Sequence, residues 1–137
     1  FRSMWREYFK PRLERVIRLA REASPGLIIF YHCDANFTDL IPDLIDIGVN
    51  VINPVQPDCM DAHAIKQTYG KQIALWGAAG TAWQWTHGTP EQIRREVYKR
   101  VEELGPDGLL LAPAYDLDCV PAENILAFIA AADDISG

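Results

Sequence analysis

The sequence predicts an α/β fold in which a leading helix is followed by four strand–helix units sharing one parallel sheet. Three observations carry this expectation. Leu27–Tyr31, Val49–Asn53, Gln72–Trp76 and Leu109–Ala112 are short, near-continuous apolar runs, the pattern of strands covered on both faces. The stretches between them place apolar residues at helical spacing. Turn residues, at Pro25-Gly26, Gly48, Tyr69-Gly70 and Pro106-Asp107-Gly108, stand where one element gives way to the next. Such a chain forms either half of an eight-stranded α/β barrel or an open sheet. Half a barrel alone would leave two parallel edges unpaired, and the chain opens inside a helical pattern without an initiator Met. An absent N-terminal half is therefore the preferred expectation. A flavodoxin-like open sheet is the alternative, although no Gly-rich phosphate loop follows the first strand.

Taken in order, Trp5, Tyr8, Phe9, Leu13, Val16, Ile17 and Ala20 form the apolar stripe of the first helix, with Ser3 as its cap and Pro11 as a kink. The strand Leu27–Tyr31 leads into His32-Cys33-Asp34. A helix over Phe37–Ile47 follows, capped by Asn36 and closed by Gly48. After Val49–Asn53 comes a loop through Pro54, Gln56 and Pro57, then a helix capped by Asp61 and ended by Tyr69-Gly70. The third strand, Gln72–Trp76, runs into a loop rich in Gly, Ala and Trp over Gly77–Gly88. Thr89-Pro90-Glu91-Gln92 supplies a cap, a Pro at the first helical position and a capping-box Gln, and that helix ends at Leu104-Gly105. The strand Leu109–Ala112 precedes a last helix opened by Pro121.

With 137 residues, 49% of them apolar, the chain is read as a single unit, 1–137, able to build a core. A net charge of -6 argues against a dedicated nucleic-acid surface, which needs clustered Lys and Arg. The basic runs Arg12–Arg21 and Arg94–Arg100 fall on helices, as solvated faces do. Cys33, Cys59 and Cys119 are too few and too scattered for a disulfide scaffold. Neither a signal peptide nor a membrane span is visible, so a cytoplasmic setting is expected.

In either topology the residues that follow the strands gather at one face, where such folds place their sites. His32 and Asp34 share a side of their strand because side chains alternate with a period of two. The pair can hold a metal with a third ligand from Tyr115, Asp116, Asp118 or Cys119; equally, Asp34 can orient the His32 imidazole for proton transfer. Cys33, between them, points away and reads as a small apolar residue, while Asn36 is best explained as a helix cap. Cys59 reads as structural, His63 as a surface residue and His87 as an exposed loop residue. Trp76, Trp83 and Trp85 offer an aromatic wall for a flat ligand, with at least one of them in the core. Gly77 to Gly80 removes side chains where a ligand or another chain segment approaches. The catalytic candidates are therefore His32, Asp34, Tyr115 and Asp116. The substrate-binding candidates are Asn53, Gln56, Trp76, Gly77 and Trp83, and the metal-ligand set is His32, Asp34 and Cys119.

His32-Cys33-Asp34-Ala35-Asn36 and the run from Leu44 to Pro57 resemble the C-terminal half of the uroporphyrinogen decarboxylase superfamily. Leu75-Trp76-Gly77, Gly88-Thr89-Pro90-Glu91, Leu111-Ala112-Pro113 and Val120-Pro121-Ala122-Glu123-Asn124-Ile125 continue the likeness in register over nearly the whole chain. The resemblance implies the second half of an eight-stranded α/β barrel, with its pocket at the carboxyl ends of the strands. Completion by the absent N-terminal half, or by a second copy in a homodimer, is expected. The resemblance also implies one of two chemistries: cofactor-free decarboxylation in porphyrin biosynthesis, or corrinoid-linked methyl transfer in which zinc activates a thiol. The zinc relatives carry His-x-Cys after this strand and a further Cys after the last one, where this chain has His32, Asp34 and approximately Tyr115. The decarboxylases carry Gly-His-Gly where this chain has Ala114-Tyr115-Asp116. The expected function is methyl transfer between a small molecule and a corrinoid partner, with zinc on His32, Asp34 and Cys119 as the cofactor expectation. Decarboxylation of a tetrapyrrole, and a non-catalytic module binding a corrinoid or small ligand, are the alternatives. The half is expected to be inactive and poorly stable by itself.

Overall fold

Four short parallel strands stand side by side in chain order: β1 (Phe30–His32), β2 (Val51–Asn53), β3 (Ala74–Ala79) and β4 (Leu109–Pro113). These come from a computed structural model that describes residues 2–136. Around them run α1 (Arg2–Met4), a π turn (Trp5–Phe9), α2 (Lys10–Ala23), a 3₁₀ turn (Thr38–Leu40), α3 (Ile41–Asp46), α4 (Ala62–Tyr69), α5 (Ala82–His87), α6 (Pro90–Leu104) and α7 (Ala122–Ser136). An open doubly wound sheet reverses its strand order at a switch point. Here the order never reverses, and the choice falls on the barrel alternative: the fold is α/β, four parallel strand–helix units preceded by a helix, the architecture of half a (β/α)8 barrel.

The two faces of the sheet differ. On one, Ile52 and Leu75 are fully covered by Ile17 of α2, Leu44 of α3, Ile65 of α4 and Leu104 of α6. Each such aliphatic side chain stabilises the fold by roughly 1.5–3 kcal/mol. A smaller core of Ala79, Trp85, Ile93 and Ala127 secures α5, α6 and α7. On the other face Phe30, Trp76 and Leu110 remain 45%, 39% and 44% exposed, the face that a closed barrel turns inward.

Several boundaries differ from those read in the sequence. Ser3 lies inside helical residues rather than capping them, and the expected kink is a widened π turn just before Pro11. Proline lacks an N–H and crowds the carbonyl four residues back, so the wider turn ends where it sits at the start of α2. β1 begins at Phe30, not Leu27, because Ile29 is already bonded to Asn50 and Ile28 is left 70% exposed. His32 is thereby the last residue of the strand. β3 continues to Ala79, and the supposed loop after it contains α5. Thr81 and Gln84 form a reciprocal capping box at the start of α5, a signal carried by the sequence itself. The caps at Asp61 and Thr89 stand as read. Among the described residues no helix is long and apolar enough to cross a membrane.

Candidate functional site at the strand carboxyl ends

The register of β1 on β2 sets His32 opposite Asn53, so their side chains leave adjacent strand ends on the same face. His32 Nδ1 lies 2.6 Å from Asn53 Oδ1, and Asn53 Nδ2 donates to the carbonyl of Trp76 on β3 at 3.1 Å. One amide thus ties the ends of β1 and β2 to the middle of β3. The Trp76 carbonyl can only accept, so the NH2 end of Asn53 must face it and the oxygen must face His32. His32 Nδ1 therefore carries a proton. On the other side of the ring, Nε2 lies 3.1 Å from Asp34 Oδ2, and a carboxylate also only accepts. The imidazolium form, in which both nitrogens donate, is the one that satisfies both contacts at once. The His32 pKa is accordingly raised above the ordinary value, first by the hydrogen bond to Asn53, against the lowering effect of desolvation, and then by Asp34 and the charge of Asp116.

A second knot ties the neighbouring loops. The Tyr115 hydroxyl donates to Asp58 Oδ2, and the same oxygen accepts the N–H of Ala82 at the start of α5 at 3.1 Å. Burial, followed by the Asp58 bond, holds the Tyr115 phenol far above its usual range. Asp58, in the loop after β2, belongs with Asn53 and Gln56 to the polar group that the sequence places after that strand, although it stands outside the catalytic and substrate-binding sets. Behind it, the Gly80 N–H donates to the buried Glu96, which is held by Arg100 at 2.6 Å.

A cleft of about 320 Å3 opens between these groups, and His32, Asp34, Asn53, Gln56, Tyr115 and Asp116 all line it. Six of the residues singled out in the sequence therefore meet at one place. The others do not. Trp76 turns onto the open sheet face, its ring 5.0 Å from that of Phe30. Trp83 is exposed on α5, stacked on His87 at 5.6 Å, and Trp85 is the core tryptophan, its Nε1 donating to the Ala79 carbonyl. Gly77 serves the chain rather than a ligand: at φ +111° it lets the Pro54 carbonyl approach, where that oxygen accepts the N–H of Ala78 at 2.9 Å. Asn36 is not the helix cap expected from the sequence: it precedes Phe37, the N-cap of the 3₁₀ turn, and instead makes a turn contact, accepting from the Thr38 N–H and donating to the Cys59 carbonyl. A larger groove of about 760 Å3 between the 3₁₀ turn and α4 holds neither His32 nor the Asp58–Tyr115 pair.

A model of the family described as Uroporphyrinogen decarboxylase (URO-D) matches residues 2–135. The chain belongs to the uroporphyrinogen decarboxylase family. Among solved structures, a methyltransferase from Methanosarcina mazei superposes with a TM-score of 0.76 over 98% of this chain, at 23% sequence identity. This chain spans 38% of the length of that protein, and the likeness concerns the fold. No curated protein matches the chain.

Within the uroporphyrinogen decarboxylase family, zinc is the group to test against these residues. A catalytic zinc needs three protein ligands. The structure brings His32 and Asp34 together but leaves Cys119 exposed in the turn before α7, outside the cleft. Among the described residues no three His, Cys, Asp or Glu side chains are grouped to hold a metal ion. The ligand set His32, Asp34 and Cys119 is not assembled, because Cys119 follows β4 by six residues and the nearer cleft positions are taken by Tyr115 and Asp116. Among the described residues, two of the three expected ligands, His32 and Asp34, come together and the third does not.

Proposed function

We propose that the protein performs the methyl-transfer chemistry of its family in an acid–base form, with no zinc step. A small molecule gives up a methyl group to a corrinoid-bearing partner while the His32 imidazolium protonates the oxygen or nitrogen left behind. The observation that carries this reading is the placement of His32 between Asn53 Oδ1 at 2.6 Å and Asp34 Oδ2 at 3.1 Å, which makes both ring nitrogens donors. A heteroatom losing a methyl group gains a lone pair, and a positioned acid that meets it contributes about 10²–10⁴-fold in rate. The corrinoid, when bound on its partner, supplies the methyl-accepting centre. His32 Nε2 gives its proton, Asp34 balances the imidazolium charge, and Gln56 offers a polar contact to the ligand in the same cleft. The N-terminal half of the barrel covers Phe30, Trp76 and Leu110 and completes the pocket wall in this reading.

Decarboxylation is the second reading, because the same imidazolium can protonate a pyrrole side chain after carbon dioxide departs. The cleft lining holds Asp34 and Asp116 and neither Lys nor Arg, a poor match for a ligand with many carboxylates. This lining ranks methyl transfer first. The test is to incubate the full-length protein with a corrinoid protein and a panel of O- and N-methylated small molecules, following methylation of the cobalt by absorbance. A parallel assay offers uroporphyrinogen. Methyl transfer that survives chelators and falls at least about a hundredfold in His32→Gln is the expected result. Turnover of uroporphyrinogen alone, or a methyl-transfer rate indifferent to His32→Gln, overturns the reading.

A further inference from the structure

Asn53, a substrate-binding candidate in the sequence, has both ends of its amide engaged within the protein. We infer that Asn53 is instead a positioning residue that fixes the tautomer of His32, so that Nε2, the nitrogen beside Asp34, is the only one that delivers and recovers a proton. The inference rests on the proton-donor reading above and specifies which atom acts.

A neutral imidazole has two tautomers, and nothing in the ring itself confines the proton to one nitrogen. Here the two acceptors are unequal: Asn53 Oδ1 is held 2.6 Å from Nδ1 by the paired strand, whereas Asp34 Oδ2 lies 3.1 Å from Nε2 on a side chain open to solvent. His32 and Asn53 end β1 and β2, Trp76 lies within the neighbouring β3, and the Trp76 carbonyl at 3.1 Å orients the amide so that its oxygen faces Nδ1, at 2.6 Å. When the Nε2–H bond breaks and the proton passes to the substrate heteroatom, the imidazole left behind keeps its Nδ1 proton. Its lone pair then sits on Nε2 alone, facing the Asp34 carboxylate at 3.1 Å, and this acceptor-to-acceptor contact draws a proton back to the same atom. Solvent can supply it, since the His32 side chain is half exposed. An aspartate at position 53 would keep the acceptor for Nδ1 but set its second oxygen against the Trp76 carbonyl. A leucine would remove the acceptor altogether. The amide alone satisfies both neighbours.

The test is nitrogen-15 spectroscopy of histidine-labelled full-length protein above the His32 titration, with His32→Gln to assign the signal. The expected spectrum has the proton on Nδ1 and the lone pair on Nε2. Asn53→Leu is expected to move the proton to Nε2, toward Asp34, and to lower kcat by about ten- to a hundredfold, less than loss of the acid itself. Asn53→Asp is expected to keep the proton on Nδ1. A proton on Nε2 in the unmodified protein overturns the inference, and this spectrum decides even where Asn53→Leu fails to fold. An unchanged tautomer in a folded Asn53→Leu overturns it as well. A proton held on Nδ1 by Asn53, combined with a rate indifferent to His32→Gln, supports the role of Asn53 and rejects the proton-donor reading instead.

Discussion

The hydroxyl of Tyr115 donates to the carboxylate of Asp58, joining the loop after β4 to the loop after β2 across the end of β3. Because Asp58 also accepts the Ala82 N–H, three loops share one carboxylate. Tyr115→Phe is expected to destabilise the fold by about 1 kcal/mol, the usual net worth of one such bond. The phenol is held above its ordinary pKa, first by burial. The neutral form is thus favoured by folding; its contribution is complete below about pH 10 and is lost as pH rises through the raised value. An ultraviolet titration of the protein minus that of Tyr115→Phe should show one phenol ionising well after the ordinary ones, and ionisation near pH 10 would contradict this.

Asp43 is a buried carboxylate in α3, 4% exposed, which Arg6 meets at 2.9 Å, Lys10 at 3.3 Å and Arg2 at 3.8 Å. It anchors the N-terminal segment to the barrel helices. Hydrogen bonding from Arg6 is the main cause that holds its pKa below the ordinary value, opposed by burial and aided by Lys10. A lowered carboxylate stabilises the fold above about pH 4 and stops doing so as pH falls through the lowered value. Asp43→Asn should therefore cost about 1.5–3 kcal/mol at neutral pH, the worth of hydrogen bonds to a charged group. Denaturant unfolding should show that difference shrinking in acid; a deficit independent of pH would count against the pairing.

Gly77→Ala tests the tight crossing of β3 and the loop after β2. A Cβ there would collide with the Pro54 carbonyl, and φ of +111° is costly for any residue with a side chain, by about 1–3 kcal/mol. Loss of at least that much in thermal unfolding is expected. A neutral substitution would mean that the Pro54 loop is free to move.

The parallel sheet, its four helical covers and the cleft were legible because strand ends in this fold converge whatever the helices do, and a period of two put His32 and Asp34 on one side. The caps at Asp61 and Thr89 were legible because their partners are three residues away. What stayed hidden depended on distant chain. The edge of β1 was set by Asn50 rather than by the apolarity of Leu27 and Ile28, and the π turn by packing around a Pro that propensity alone treats as a kink. Asn53 reads as a polar pocket residue until its register against His32 and Trp76 is known. Helix α5 does carry a local signal, the capping box of Thr81 and Gln84 three residues apart. Cys119 is near Tyr115 and Asp116 in sequence, but the turn before α7 leaves it exposed and outside the cleft lining.

The measurement that bears most directly on the site is the pH dependence of single-turnover methyl transfer by the full-length protein, compared with His32→Gln. The His32 pKa is raised, by Asn53 first and then by Asp34 and Asp116, so the imidazolium persists above the usual value of about 6.5. The rate should be at its plateau below that value and decline as pH rises through the raised pKa, with that limb absent and the plateau lower by about 10²–10⁴-fold in His32→Gln. Profiles of the same shape and height in the two proteins would contradict the assignment of His32 as the proton donor.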